Sequence, residues 1–596
     1  MRRAVAAASA VVLAFAMVPG AAAVSGAGAR VLRVGTYNGI SGQYTSIQTA
    51  VDEAKPGDWV LVAPGDYKTT SIKAPDGQPD VPAGVLIKTP GVYLRGMDRN
   101  AVIVDGTKSG PPCSTATGDQ NFGPPGSGGA VGLNGIMVWK AADVWVENLT
   151  ACNFLGGSAG NGNEIWWNGG ADSAEVGGSG FWGLNLTATS TYFHEEATAA
   201  QYGIFSSNWS GGTWDQSYAS NFNDSGYYIG ACQQVCNQTV NHAWAEYSAL
   251  GYSGSNSGGS LVVENSQFDN NRDGFDTNSQ NGDNPPPQDG ACPNGAISPI
   301  THTTSCWVFM HNYVHDNNNP NVPTAGSAAA GPVGTGLSLS GARNDTIMDN
   351  DFERNNAWGT ILVPYPDSGP PCTGGTQTPA ACIYDEFGDA VIGNTYGANG
   401  SYGNPTNGDI AATNLNPGPT DCYSGNTEVG GGNLTTSPPD LQVLYPSCSG
   451  ATVPPNANAV FTDEVACDSS AISIGPVQGN AVCPPGANYP RQTEVVMHPL
   501  PGATATAAGV PALENPSSAT LPSMSTCAGV PANPWCPADA GPSVAAAHGQ
   551  PGVAAALAAT GGNRTATWLG LAAVALCLAR LSLRRRVTPL FDGGRA

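Results

Sequence analysis

Apolar and polar positions alternate through Val263-Glu264-Asn265-Ser266-Gln267-Phe268-Asp269-Asn270-Asn271-Arg272-Asp273-Gly274-Phe275-Asp276-Thr277-Asn278, and a glycine followed by an aromatic residue breaks the run near its end. Alternation with period two marks a strand with one buried face. The glycine-plus-apolar step recurs at Gly180-Phe181, Gly203-Ile204, Gly226-Tyr227, Gly251-Tyr252, Gly274-Phe275, Gly336-Leu337 and Gly359-Thr360, with gaps of 23, 23, 25, 23, 62 and 23 residues. A period of that length predicts a solenoid, in which each repeat is one coil stacked on its neighbours. Inserts over 279–306 and 316–334 account for the long gap, and a Gly/Pro/Ser-rich insert spans 107–134. Long loops on a solenoid project from one face and often build its binding site.

Near the start the period changes to that of a helix. Ile47, Ala50, Val51 and Ala54 share one helical face, Thr45 or Ser46 can cap it, and Pro56-Gly57-Asp58 ends it. Strands are expected at Trp59–Val62, Val85–Ile87, Val92–Leu94 and Ala101–Val104. This run resembles the start of pectin-lyase-like right-handed parallel β-helices. The resemblance implies an all-β chain: a right-handed parallel β-helix, or solenoid, with a short N-terminal capping helix over its open core. We expect the β-helix over 30–400, a Cys-containing extension over 401–498 and an Ala/Pro-rich linker over 499–556.

Composition narrows the function. Lys+Arg number 22 against 45 Asp+Glu, a net charge of −23, which repels nucleic acid. Of 15 cysteines, 14 lie between Cys113 and Cys536, an even set suited to an oxidising compartment. Their spacing suggests the pairs Cys113–Cys152, Cys232–Cys236, Cys292–Cys306, Cys372–Cys382, Cys422–Cys448, Cys467–Cys483 and Cys527–Cys536.

Both ends read as address labels. Arg2-Arg3, an apolar run to Val18 and Ala21-Ala22-Ala23 form a secretory signal within 1–29. At the other end, Leu557-Ala558-Ala559-Thr560-Gly561 precedes an apolar segment, Trp568–Leu583, and Arg584-Arg585-Arg586. That order resembles a cell-wall sorting signal. It implies cleavage between Thr560 and Gly561 by a sortase and attachment to peptidoglycan, with the C-terminal hydrophobic helix in the membrane before processing. A plain membrane anchor is the alternative. Either way the protein is expected at the cell surface.

The charged coil is the first candidate for chemistry. Arg272, Asp273 and Asp276 sit together on a mostly neutral repeat, and paired carboxyls can serve as acid and base. Asn271–Asp276 resembles the Asn-Thr-Asp-Gly-Phe/Ile-Asp segment of polygalacturonase-type glycosidases, and Gly334–Ser338 resembles their Gly-His-Gly-Leu-Ser segment, with Thr335 in place of the His. If Phe181, Ile204, Tyr227, Tyr252, Phe275 and Leu337 face the core, then Trp182, Phe205, Tyr228, Ser253, Asp276 and Ser338 face outward in one column. Trp182, Phe205 and Tyr228 are then the expected sugar-binding rings, and Asp273, Asp276 and Arg272 the expected catalytic residues. The cluster of Asp269, Asp273, Asp276 and Asp283 makes calcium the one cofactor to test for. His194-Glu195-Glu196 reads as a solvated loop. His311 and His315 have no third ligand for a metal. Asn317-Asn318-Asn319 suits hydrogen bonds between coils. The expected function is binding or cleavage of an extracellular polysaccharide, by a lyase or glycoside hydrolase if catalytic; the alternative is a non-catalytic adhesin or structural protein.

Overall fold

The structure, a computed structural model, describes residues 29–69, 71–170, 176–232, 236–279, 306–324, 332–368, 374–379, 381–447, 451–474, 486–499 and 524–537, with Cys372 and Ser449. The secretory signal, the sorting pentapeptide with Thr560 and Gly561, and the apolar segment Trp568–Leu583 lie outside the described residues. Among the described residues no helix is long and apolar enough to cross a membrane.

Three long parallel sheets of 12, 11 and 11 strands run the length of the molecule, the arrangement of a parallel β-helix. One coil shows the plan. Leu261–Glu264 belongs to the first sheet, Gln267–Asp269 to the second and Asp273–Asn278 to the third. Val263, Phe268 and Phe275 from these strands meet in one continuous apolar core. Phe275 stacks on Tyr252 of the preceding coil, ring centroids 4.2 Å apart and tilted by 3°.

The glycine of the repeated step has a spatial cause. A Cβ on Gly274 would lie 2.5 Å from the Gly336 carbonyl oxygen of the next coil and 2.7 Å from Asn317 Nδ2. Only glycine lets successive backbones approach this closely. One step was aligned wrongly by period alone. Gly180-Phe181 lies in the first sheet, where Phe181 pairs with Val144. The neighbour of Ile204 in the third sheet is Ile165.

A helix spans Ile47–Glu53, with the Ser46 side chain accepting from the Thr49 N–H. Ile47, Ala50 and Val51 join the core beside Leu32 and Val34 of the first strand. Gln48 serves the edge of the third sheet: its side chain accepts from the Leu86 N–H at 2.7 Å and donates to the Leu86 carbonyl at 3.1 Å. Both groups would otherwise end a ladder unpaired.

Coils continue past the expected boundary at 400, through Gly408–Ala412, Cys422–Ser424, Thr427–Glu428 and Thr436–Ser437. The chain then turns back along the outside. Phe461 of the helix Ala459–Ile474 packs with Trp358, Ile361 and Tyr489. Residues 486–499 form a strap. Asn488 N–H bonds Asn404 Oδ1 at 2.7 Å, Val496 N–H bonds the Asn321 carbonyl at 2.8 Å, and His498 N–H bonds Asn221 Oδ1 at 2.9 Å.

Residues 524–537, placed by sequence in an extended linker, dock instead on the first coils. Arg95 Nη1 donates to the carbonyls of Thr526 and Ala528, and Trp535 Nε1 to that of Ile40. Trp535 packs with Trp59, Leu61 and Met97. A buried apolar face against the solenoid outweighs the local Pro/Ala composition. The disulfide Cys527–Cys536 closes this clasp, and Cys113–Cys152, Cys232–Cys236 and Cys372–Cys382 match the spacing. Cys306, Cys422 and Cys467 are also disulfide-bonded, while Cys292, Cys448 and Cys483 lie outside the described residues. Replacing Cys527 and Cys536 by Ser is expected to free the clasp without unfolding the coils. Trp535, now 4% exposed, then emits at longer wavelength, and limited proteolysis cuts near residue 530.

Candidate functional site

The second sheet carries a row of polar and aromatic side chains on its outer face. Its strands Tyr218–Ser220, Trp244–Glu246, Gln267–Asp269, Tyr313–His315 and Asp351–Glu353 are three residues each. The middle residues Ala219, Ala245, Phe268, Val314 and Phe352 enter the core, so the first and third face out. Register then stacks two columns. One runs Tyr218, Trp244, Gln267, Tyr313, Asp351; the other runs Ser220, Glu246, Asp269, His315, Glu353.

Glu246 and Asp269 are direct partners across adjacent strands, which sets their backbones roughly 5 Å apart. Their surroundings differ. Asp269 accepts three N–H groups: Trp244 Nε1 at 2.7 Å, Gln267 Nε2 at 2.7 Å and Asn270 Nδ2 at 2.6 Å. Glu246 accepts the Tyr218 hydroxyl at 2.6 Å. Burial, with the Asp269 charge beside it, pushes the Glu246 carboxyl up to about 8. Burial raises Asp269 as well, opposed by His315 and by its N–H donors. Donors that bond the ionised form favour it. Asp269 therefore holds the charge of the pair and Glu246 the proton.

His315 extends the row. Its Nε2 accepts from Gln267 Nε2 at 3.2 Å and lies 4.0 Å from Asp269 Oδ1, while Nδ1 donates to Asp316 Oδ2 at 2.8 Å. The two bonds select the Nδ1–H tautomer. Tyr313 stacks on the imidazole at 4.0 Å and donates its hydroxyl to Glu353 Oε2 at 3.1 Å. Arg354 bonds Tyr313, Asp316 and Glu353 at the corner of the coil, and its side chain is 42% exposed. A guanidinium at the rim can meet an anionic group on a ligand. The strap closes one end: the His498 ring stacks on Tyr247 at 4.3 Å, with Nε2 3.8 Å from Glu246 Oε1.

The residues singled out in the sequence are not brought together. Asp273 and Asp276 are on the outer face of the third sheet, linked through Ser338, which bonds both. Asp273 is 0% and Arg272 1% exposed, so neither reaches a ligand. Burial and the Asp276 charge hold the Asp273 carboxyl well above its usual range. Trp182 is on a different face, stacked on Trp145 in the first sheet at 4.2 Å; the place assigned to it belongs to Trp166, the partner of Phe205. Trp166 covers Phe205 at 4.9 Å and Phe205 meets Tyr228 edge-on at 4.9 Å. Those ring faces are taken by neighbours and offer no platform to a sugar. Asp269 faces out from the second sheet and Asp273 and Asp276 from the third, with Asp283 outside the described residues. Among the described residues no three His, Cys, Asp or Glu side chains converge on a metal position.

A signal for Glu246 was present. Glu246 and Asp269 each stand five residues before a repeated glycine, Gly251 and Gly274. His315 carries no such mark, because the insert over 316–334 follows it, and Glu353 stands six residues before Gly359 rather than five.

No family model and no curated protein matches the chain. Several solved structures resemble it weakly. The A-module of mannuronan C-5 epimerase AlgE4 from Azotobacter vinelandii is 14% identical, covering 65% of this chain and 88% of its own, with a TM-score of 0.34. Pectate lyase Pel9A is 12% identical, covering 78% and 89%, at 0.31. An alginate lyase from Paenibacillus sp. str. FPU-7 is 14% identical, covering 68% and 99%, at 0.30. Likenesses this weak give no residue of the row a role.

Proposed function

We propose that the protein binds an extracellular polysaccharide along the outer face of the second sheet and cleaves it with Glu246 as general acid and Asp269 as its carboxylate partner. The observation that carries this reading is the unequal pair: two carboxyls one strand apart, one kept protonated by burial and the other bonded by three N–H groups. Environments that push two carboxyls apart divide the roles of acid and base. The columns run along the solenoid axis, which suits an extended chain, and Trp244, Tyr313 and Arg354 supply rings and a cation beside the pair. The helix Ile47–Glu53 is read as the cap of the open first coil, in line with its buried face. Cell-surface attachment through Thr560 remains part of this proposal, supported by the order of sequence signals and by the disulfides.

The second reading is a binding protein without turnover. It is favoured by the low exposure of the pair, 7% for Glu246 beneath His498 and 3% for Asp269. A panel of plant and microbial glycans separates the two. Release of reducing ends supports cleavage. Saturable binding with no new reducing ends supports the adhesin and refutes the catalytic reading.

A further inference from the structure

Two corners of the solenoid carry stacked asparagines. In one, Asn350 Oδ1 accepts the Asn312 N–H at 2.9 Å, while Nδ2 donates to the Phe309 carbonyl at 2.9 Å and to Asn394 Oδ1 at 2.9 Å. Each amide thus accepts on one side and donates on the other, and the stack is satisfied throughout.

The corner between the third sheet and the first repeats the backbone half of this pattern with aspartates. Trp307 N–H donates to Asp345 Oδ1 at 3.1 Å, Asp345 N–H to Asp389 Oδ1 at 2.9 Å, and Asp389 N–H to Asp421 Oδ1 at 3.0 Å. Asp345 and Asp389 are 0% exposed, and the Oδ2 of each has no hydrogen-bond partner among the described residues. A carboxyl oxygen stands where the other corners place a donating amide.

A buried carboxylate needs a cation, a metal or a proton. The neighbouring cation is Arg343. It gives Nε to the Asp385 carbonyl and Nη1 to the Gly374 carbonyl, each at 3.0 Å, and faces Asp385, Glu386 and Asp389 together. One guanidinium cannot neutralise so many acids. No metal position is formed among the described residues.

We propose that Asp345 and Asp389 are neutral, donating carboxyls in the folded protein at neutral pH, so that protons lock the last coils together as amides lock the others. Among the described residues, Glu386, buried beside them, and the phenols of Tyr252 and Tyr423 are the other titratable groups facing the stack. Burial holds Asp345 and Asp389 well above the usual carboxylate range and brings Asp421 to about 7. These acids are ionised in the unfolded chain at neutral pH, so folding takes up protons. The stabilisation is complete below the unfolded value of 3.8 and is lost as pH rises through the raised folded values, about 7 for Asp421.

The test is thermal unfolding of the full chain from pH 4 to 9, as wild type and as Asp345→Asn/Asp389→Asn. The variant is expected to unfold roughly 2–4 °C higher than wild type at pH 8 and to lose most of the wild-type fall in Tm with pH. An unchanged pH slope, or a variant less stable at pH 8, overturns the proposal. Should the double variant not fold, infrared difference spectra at pH 7 between wild type and the single variant Asp345→Asn decide: loss of a protonated-carboxyl band supports it, and an unchanged band, carried by Glu246 and Asp273, overturns it. A wild-type Tm at pH 8 that rises with calcium and falls with chelator shows a metal in place of the proton, and also overturns it.

Discussion

Glu246→Gln is expected to lower polysaccharide cleavage by roughly 100- to 10,000-fold, the usual contribution of a general acid, with glycan affinity retained. Glutamine keeps the Tyr218 bond and the shape of the side chain but has no acidic proton. The wild-type rate should be bell-shaped in pH. Its alkaline limb falls as pH rises through about 8, where Glu246 loses its proton. Its acid limb falls as pH drops through the raised value of Asp269, which must be ionised. Asp269→Asn removes the charge that helps hold Glu246 up, so Glu246, followed by NMR, should titrate at lower pH. Unchanged turnover in Glu246→Gln, or a Glu246 titration indifferent to Asp269, would reject the assignment.

Asn317→Leu is expected to destabilise the fold by about 2–6 kcal/mol, measured by denaturant unfolding. Asn317 Oδ1 accepts the Asn271 N–H at 3.2 Å, and its Nδ2 donates to the Phe268 carbonyl at 2.9 Å and to Asn355 Oδ1 at 3.1 Å. Leucine strands two buried backbone groups, each costing about 1–3 kcal/mol. Asn319→Leu is the contrast. That side chain accepts one bond, from the Asn321 N–H, and its loss should cost about 1 kcal/mol. Equal effects for the two variants would show that the stack adds nothing beyond ordinary turn bonds.

The stacked asparagines were legible because a coil repeat with Asn at its turns has few other uses for them. The columns of the third sheet were legible from Phe205 to Asp276, where coils are short, and at Ser338, where the glycine step resumes after the inserts. Beyond Phe205 the period failed, since the coil from Ile165 to Ile204 holds an insert. A step of 23 residues back from Gly203 therefore landed on the first sheet, and Trp182 took the place of Trp166. The charged run Arg272–Asp276 drew attention for its density of charge. Density says nothing of burial, and Asp273 is 0% exposed; what sets Asp269, itself 3% exposed, apart is its place beside Glu246 on the second sheet.

By itself the sequence determined the coil. Alternation selects which side chains enter the core, and glycine marks where backbones touch, because both are local demands met within one repeat. Only the tertiary structure decided which outward residues become neighbours. Glu246, Asp269, His315 and Glu353 lie on four successive coils with loops of unequal length between them. Their adjacency is set by sheet register, which backbone hydrogen bonds hold regardless of loop length. The charged coil around Asp273 is thus a structural rung, and its chemistry lies one sheet away, at Asp269.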